Sequence, residues 1–279
     1  MRKGDGASCA AALIGIALAL SPVFAAQAAA PAAVEVEGTE FRLTLADGRV
    51  LTSPQLVGAQ LSILTNGVMQ RVRIEAVQPD PGDLARGIKP SGEVWLHTFS
   101  IQGGDGGWSN LCDAGPDGRR QGFPLAGHAR PDGVIGPGAP GEFALTCTSG
   151  AQGKCIRLGY RPWDKAPDGA PLTGAFAACV RLIRADYAGD GRSTTRNGQP
   201  VDIYDSFGIQ TPAIATSYEF EAGFTPDGAV CVRHVRVKEN ATLAAVEAQT
   251  PRLAGHVGEV CTEAYARNAG AILFVRSPP

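Results

Sequence analysis

The sequence has almost no excess charge of either sign: 25 Lys and Arg stand against 27 Asp and Glu, a net of −2 at pH 7. A nucleic-acid-binding surface needs a basic face, so no nucleic-acid partner is expected. Aromatic residues are few, at 6%, while 36 Gly and 20 Pro suit a chain rich in turns. The hydrophobic share of 44% suffices for a core and excludes wholesale disorder. Beyond the first thirty residues no run is long and apolar enough to span a bilayer. Reaction motifs are missing too. His97, His128, His234 and His256 form neither H-x-x-x-H nor H-E-x-x-H, which removes a zincin site. There is no G-x-S-x-G nucleophile elbow. The glycines 103, 104, 106 and 107 precede Trp108–Ser109–Asn110 rather than a Lys–Ser/Thr pair. They read as a linker or surface loop, not a phosphate cradle.

What is present begins with an address. Arg2 and Lys3 precede an apolar stretch from Cys9 to Leu20, interrupted only by Gly15 and ended by Ser21–Pro22. Ala26–Gln27–Ala28 then offers a small-residue cleavage site. This is the pattern of a secretory signal peptide over residues 1–28, with cleavage after Ala28. The stretch is too short to span a membrane. Cys9 begins the apolar run rather than following it, which argues against lipid attachment. The mature chain is expected in a periplasm or outside the cell. Seven cysteines less Cys9 leave six, an even number that reads as a disulfide framework in an exported chain.

Residues 33–105 read as a small antiparallel β unit. Val34 and Val36 alternate with Glu35 and Glu37; Phe41, Leu43 and Leu45 alternate with Arg42 and Thr44. Asp47–Gly48 and Asn66–Gly67 are hairpin dipeptides. A further strand over Glu93–Ile101 places Val94, Leu96 and Thr98 on one face, and Trp95, His97 and Phe99 on the other.

Residues 106–279 read as a disulfide-stabilised α+β domain, so the chain as a whole is α+β and β-rich. Phe143–Cys147 and Cys155–Tyr160 read as a hairpin turned over Thr148–Lys154, leaving Cys147 and Cys155 to pair together or to separate partners. Leu172–Tyr187 is the clearest helix, with Phe176, Cys179, Val180, Ile183 and Tyr187 on one stripe and Arg181 and Arg184 on the other side. Tyr218–Val237 reads as a hairpin about Pro226–Asp227–Gly228. Asn240 is placed to cap a short helix through Ala248; a helix near Gly258–Asn268 and a strand over Ala271–Val275 follow.

The segment 178–205 contains Arg184, then Ala185–Asp186–Tyr187, then Gly189–Asp190–Gly191. With Leu111–Cys112, Cys155, the 159–163 run GYRPW and Gly228–Ala229–Val230–Cys231, it resembles the ADYC domain. That is a bacterial family named for an Ala-Asp-Tyr-Cys signature. The resemblance implies an exported protein and names no reaction. One position departs: Ala188 stands where the signature has cysteine. Because six mature cysteines remain, its partner is expected to be missing as well, near Gln249–Pro251 and ahead of Arg252–Leu253. A cysteine this member dispenses with is hard to cast as an essential nucleophile.

Six cysteines allow fifteen pairings. Cys231 and Cys261 flank the C-terminal hairpin-to-helix segment and are favoured together, with Cys112–Cys147 and Cys155–Cys179 as the other bridges. Asp186 and Asp190 are the candidate carboxylates for catalysis, and with Asp202 and Asp205 for a hard cation such as Ca²⁺. The spacing is not that of an EF-hand loop. The simpler reading has Asp186 and Asp190 ordering turns or pairing with Arg184 and Arg192, with no cofactor. Taken together, the residues suggest a binding or structural module of the cell envelope, partner unknown. The alternative is an envelope hydrolase acting on carbohydrate or peptide through the acids of the ADY-GDG segment.

Overall fold

The computed structural model describes residues 31–65, 67–213 and 217–278. The leader expected over residues 1–28, with Cys9 and the cleavage site after Ala28, lies outside the described residues, as does Asn66 of the second hairpin dipeptide.

The fold is α+β and β-rich. The first sheet is a three-stranded antiparallel meander of β1 (Pro31–Glu37), β2 (Glu40–Leu45) and β3 (Val50–Thr52). A six-stranded sheet follows. It contains β4 (Gln60–Thr65), β5 (Val68–Asp80), β6 (Ser91–Gln102), β7 (Trp108–Asn110) and β8 (Gly122–Ala126). A short ribbon of β9 (His128–Ala129) and β10 (Ile135–Gly136) precedes its last strand, β11 (Phe143–Cys147). Its order is β11-β8-β6-β5-β4, with β7 pairing β6, so the sheet runs across residue 105. The glycine run 103–107 is the tight turn of the β6–β7 hairpin, closed by Gly103 and Gly106 donors.

Helices α1 (Ala151–Arg157) and α2 (Thr173–Arg184) come next, then β12 (Asp202–Asp205), β13 (Glu219–Thr225) and β14 (Gly228–Val232). Helices α3 (Leu243–Gln249) and α4 (Glu263–Asn268) precede β15 (Leu273–Ser277), and the second sheet has the order β12-β15-β13-β14.

Two cores meet at β6. Its His97 and Phe99 face Phe41, Val72 and Ile74 beneath the three-stranded meander. Its Val94 and Leu96 face the other way, into a core shared with α1, α2 and the four-stranded sheet. Both faces of this strand are buried, which is why hydrophobic residues occur on each side of its alternation. Three disulfides close the second part: Cys112–Cys147, Cys155–Cys179 and Cys231–Cys261. Cys147 and Cys155 therefore belong to different bridges.

Several local expectations are corrected. Residues 151–157 form α1, in place of the turn expected over Thr148–Lys154 and the start of the strand expected over Cys155–Tyr160. The alternation of Ile156, Leu158 and Tyr160 is too short to separate period two from period 3.6, and Gly153, Cys155, Ile156 and Arg157 are all buried. Gly153 permits the helix: a Cβ there would collide with the carbonyl oxygen of Cys147. Helix α2 stops at Arg184 rather than Tyr187, and its Arg181 is buried, not solvent-facing. Thr242, not Asn240, caps α3 by accepting from Ala245 N at 3.1 Å, while Asn240 donates to Thr195 O. The helix expected from Gly258 is a 3-10 turn over Gly258–Val260; α4 starts after Thr262, which caps it at 3.1 Å. The last strand lies two residues later than expected, at Leu273–Ser277.

Candidate functional site

The signature segment forms the C-terminal stop of α2. Ala185 takes the left-handed conformation, φ 49°, and its N–H and that of Asp186 return to the carbonyls of the last turn. The chain then doubles back in a tight loop built around one carboxylate. Asp186 Oδ1 accepts from Gly189 N at 2.8 Å and Asp190 N at 3.1 Å; Oδ2 accepts from Gly191 N at 2.8 Å. Oδ2 also takes Nη1 of Arg181 at 2.8 Å. Asp186 is 1% exposed and its acceptor sites are used within the loop. Its partner is Arg181, not the expected Arg184, whose guanidinium instead holds the Gly191 carbonyl. Gly189 is needed because a Cβ at its φ of 76° would strike the Asp227 carbonyl oxygen.

Tyr187 points inward to a charged triad. Its hydroxyl donates to Glu221 Oε1 at 2.9 Å and accepts Arg236 N at 2.9 Å. Arg236 meets both Glu221 oxygens at 3.0 Å, and donates onward to Leu182 O at 2.9 Å and Ile183 O at 3.1 Å. Burial first, then the Glu221 charge, pushes the Tyr187 phenol well above its ordinary range. Burial alone would lower Arg236, but the charges of Glu221 and Tyr187 and the hydrogen bonds to Glu221 together more than offset it, and the guanidinium is held protonated. Every polar atom named here has a partner, the condition under which a buried charge network rigidifies rather than weakens a core. Outside it, Arg252 gathers the carbonyls of Tyr187, Ala188, Asp227 and Ala229, fastening the signature loop to the β13–β14 turn.

The four acids proposed from the sequence separate into two places. Asp190 is half exposed and sits 3.7 Å from Arg192. Asp205, on β12, accepts Tyr160 Oη at 2.7 Å and the N–H groups of Phe207, Ile209 and Gln210. Asp202 accepts Ala213 N at 3.1 Å. Among the described residues, no group of three or more His, Cys, Asp or Glu is arranged to hold a metal ion. Tyr160 of the aromatic run is fully buried, and Trp163 lies against Gly38.

Sequence reasoning misses Glu221 and Arg236, and it names Arg181 and Arg252 without their partners. The signal for Glu221 is an acid set between Phe220 and Ala222, two residues after Glu219, the exposed acid that opens β13. A strand whose inward position carries a charge demands a buried partner of opposite sign.

Beside the loop lies a cavity of about 120 Å³. Its walls include Ala188, Asp190 and Arg192 of the loop, and Ala245, Gln249 and Thr250 of α3 and its end. Arg192 reaches Gln249 Oε1 across the mouth, whereas the buried Oγ1 of Thr250 has no partner.

The sequence profile of the ADYC domain matches residues 53–238, about two thirds of the chain. The protein belongs to the ADYC domain family. The match covers the six-stranded sheet, α1, α2 and the β13–β14 hairpin that Arg252 fastens to the signature loop. No curated protein and no solved structure matches the chain. In this ADYC domain the Asp and Tyr of the signature are turn-former and triad member. The position that departs from it, Ala188, faces the cavity. Among the described residues no helix is long and apolar enough to cross a membrane.

Proposed function

We propose that this ADYC domain is a non-catalytic binding or structural module of a bacterial cell envelope, exported by a leader cleaved after Ala28. One observation carries the reading: Asp186, the acid of the signature, spends its carboxylate on three backbone N–H groups and Arg181. A general acid or nucleophile needs a carboxyl facing substrate, and paired glycosidase carboxyls flank an open cleft. The cavity is large enough for about four waters or a very small ligand, given about 30 Å³ per water. Three disulfides favour an oxidising compartment. Ca²⁺ is not part of the proposal, because Asp186 and Asp205 already serve N–H and O–H donors.

Export predicts a processed chain beginning at Ala29; N-terminal sequencing that finds residues 1–28 retained overturns it. The non-catalytic reading predicts no soluble product from isolated envelope polymer. Product release that disappears in Asp190→Asn would establish the hydrolase instead. Titration calorimetry with Ca²⁺ should give no heat and no shift in Tm.

A further inference from the structure

The cavity beside the signature loop carries a cation and an anion that the fold leaves half exposed. Asp190 and Arg192 both stand on its wall, with Arg192 Nη2 3.7 Å from Asp190 Oδ2. At that separation the two attract one another without a hydrogen bond, so each head group can turn to a guest. Asp190 Oδ1 is occupied by Arg192 N at 2.9 Å, which leaves Oδ2 without a donor among the described residues. Asp186 also lines the cavity, but its carboxylate is already spent on the loop and on Arg181. Thr250 shares the wall at 5% exposure, and its buried Oγ1 has no hydrogen-bond partner among the described residues. A buried hydroxyl left unpaired is costly, which favours a polar guest over an apolar one. Between these polar groups the walls are short and apolar, at Ala188, Ala245 and Val246.

We propose that this cavity binds a small zwitterion, a free α-amino acid no larger than alanine. The proposal rests on the binding reading above and names its ligand class. A lone anion would gain Arg192 but meet the charge of Asp190, and a lone cation would meet the reverse. A molecule whose two charges are separated by a single carbon satisfies both, with its carboxylate on Arg192 and its ammonium on Asp190 Oδ2. Its remaining substituent, a hydrogen or a methyl, faces the methyl groups of Ala188 and Ala245. Size sets the upper limit. About 120 Å³, room for about four waters, excludes a leucine-sized side chain and a peptide. A sugar has neither the room nor a ring to stack on, because the one aromatic on the wall, Tyr187, is buried and turns its hydroxyl to Glu221. Arg192 also donates to Gln249 Oε1 across the mouth, so the guest is held between the loop and α3 rather than on either alone.

Titration calorimetry of the purified protein with glycine and with alanine should give saturable heat at millimolar ligand. Acetate and ethylamine, which carry one of the two charges each, should bind at least roughly tenfold more weakly, and so should leucine. Asp190→Asn and Arg192→Gln each remove one charge from an exposed position. Either should weaken alanine roughly tenfold or more and leave Tm unmoved. Absence of saturable heat with both amino acids overturns the proposal while leaving the non-catalytic reading intact, since that reading fails only on product release from envelope polymer. Alanine binding that survives both charge substitutions overturns it as well, as does acetate binding as tightly as alanine.

Discussion

Asp186 and Asp190 are four residues apart and play unequal parts. Asp186 orders three backbone donors and pairs with a buried arginine, so Asp186→Ala leaves those donors unpaired, opens the loop and leaves Arg181 with Asp132 as its remaining carboxylate. A loss of about 3–5 kcal/mol is expected from urea midpoints, against no more than about 0.5 kcal/mol for Asp190→Ala on the surface. His97 supplies the clearest pH dependence. Burial between Phe41 and Phe99 lowers its pKa from 6.5 to about 4. The folded state therefore keeps it neutral while the unfolded chain takes up a proton. Its contribution is complete above pH 6.5 and is lost as pH falls from there toward 4, by up to about 3 kcal/mol. Stability of the wild type should fall with acid through that window, and His97→Gln should flatten the slope. His234 is displaced in the same direction by burial, so an equal slope in the His97 variant would transfer the effect to it.

At the scale of elements, the signature loop and α3 meet across the cavity at Ala188, Gln249 and Thr250. If Ala188 marks the site of a lost bridge, restoring both ends should close it. Ala188→Cys with Thr250→Cys, or with Gln249→Cys, should leave no free thiol and add about 2–4 kcal/mol of stability. Two free thiols in every such pair would show that no bridge fits there. The element boundaries divide along similar lines. The β hairpins and α2 were legible because alternation and the 3.6-residue stripe run long enough to be unambiguous. Helix α1 was not, because its register is decided by Gly153 against Cys147, a contact far less visible in sequence than the cysteines themselves. For the site, Asp186 could be read as a turn-former from its glycine neighbours. Its true partner Arg181 could not: on a helix taken to end at Tyr187, Arg181 belongs on the solvent side. Only the stop at Ala185 folds the loop back over it. Glu221 and Arg236 lie fifteen residues apart in one expected hairpin, but β14 ends at Val232, so strand register alone does not turn Arg236 back onto Glu221.

For the whole molecule, β6 decides how the parts are coupled. In sequence the chain divides near residue 105, into a cysteine-free β unit over 33–105 and a cysteine-bearing α+β domain over 106–279. The six-stranded sheet instead joins β4–β7 to β8 and β11, and β6 lines one core with His97 and Phe99 and the other with Val94 and Leu96. Arg157 of α1 adds a buried link, meeting Asp80 at the end of β5 at 2.8 Å and Asp117 at 2.8 Å. Neither core can be exposed without removing a wall of the other. Scanning calorimetry should therefore show one transition, with calorimetric and van't Hoff enthalpies equal. Asp80→Asn, which weakens the link to Arg157 without touching a disulfide, should lower Tm while keeping a single peak. Reduction of the Cys112–Cys147 bridge, which ties the β7–β8 connection to edge strand β11, should loosen amide protection in β5 and β6 as well as in α2. Two resolved transitions, or reductive exchange confined to residues beyond 105, would mean that the shared sheet does not couple the two cores.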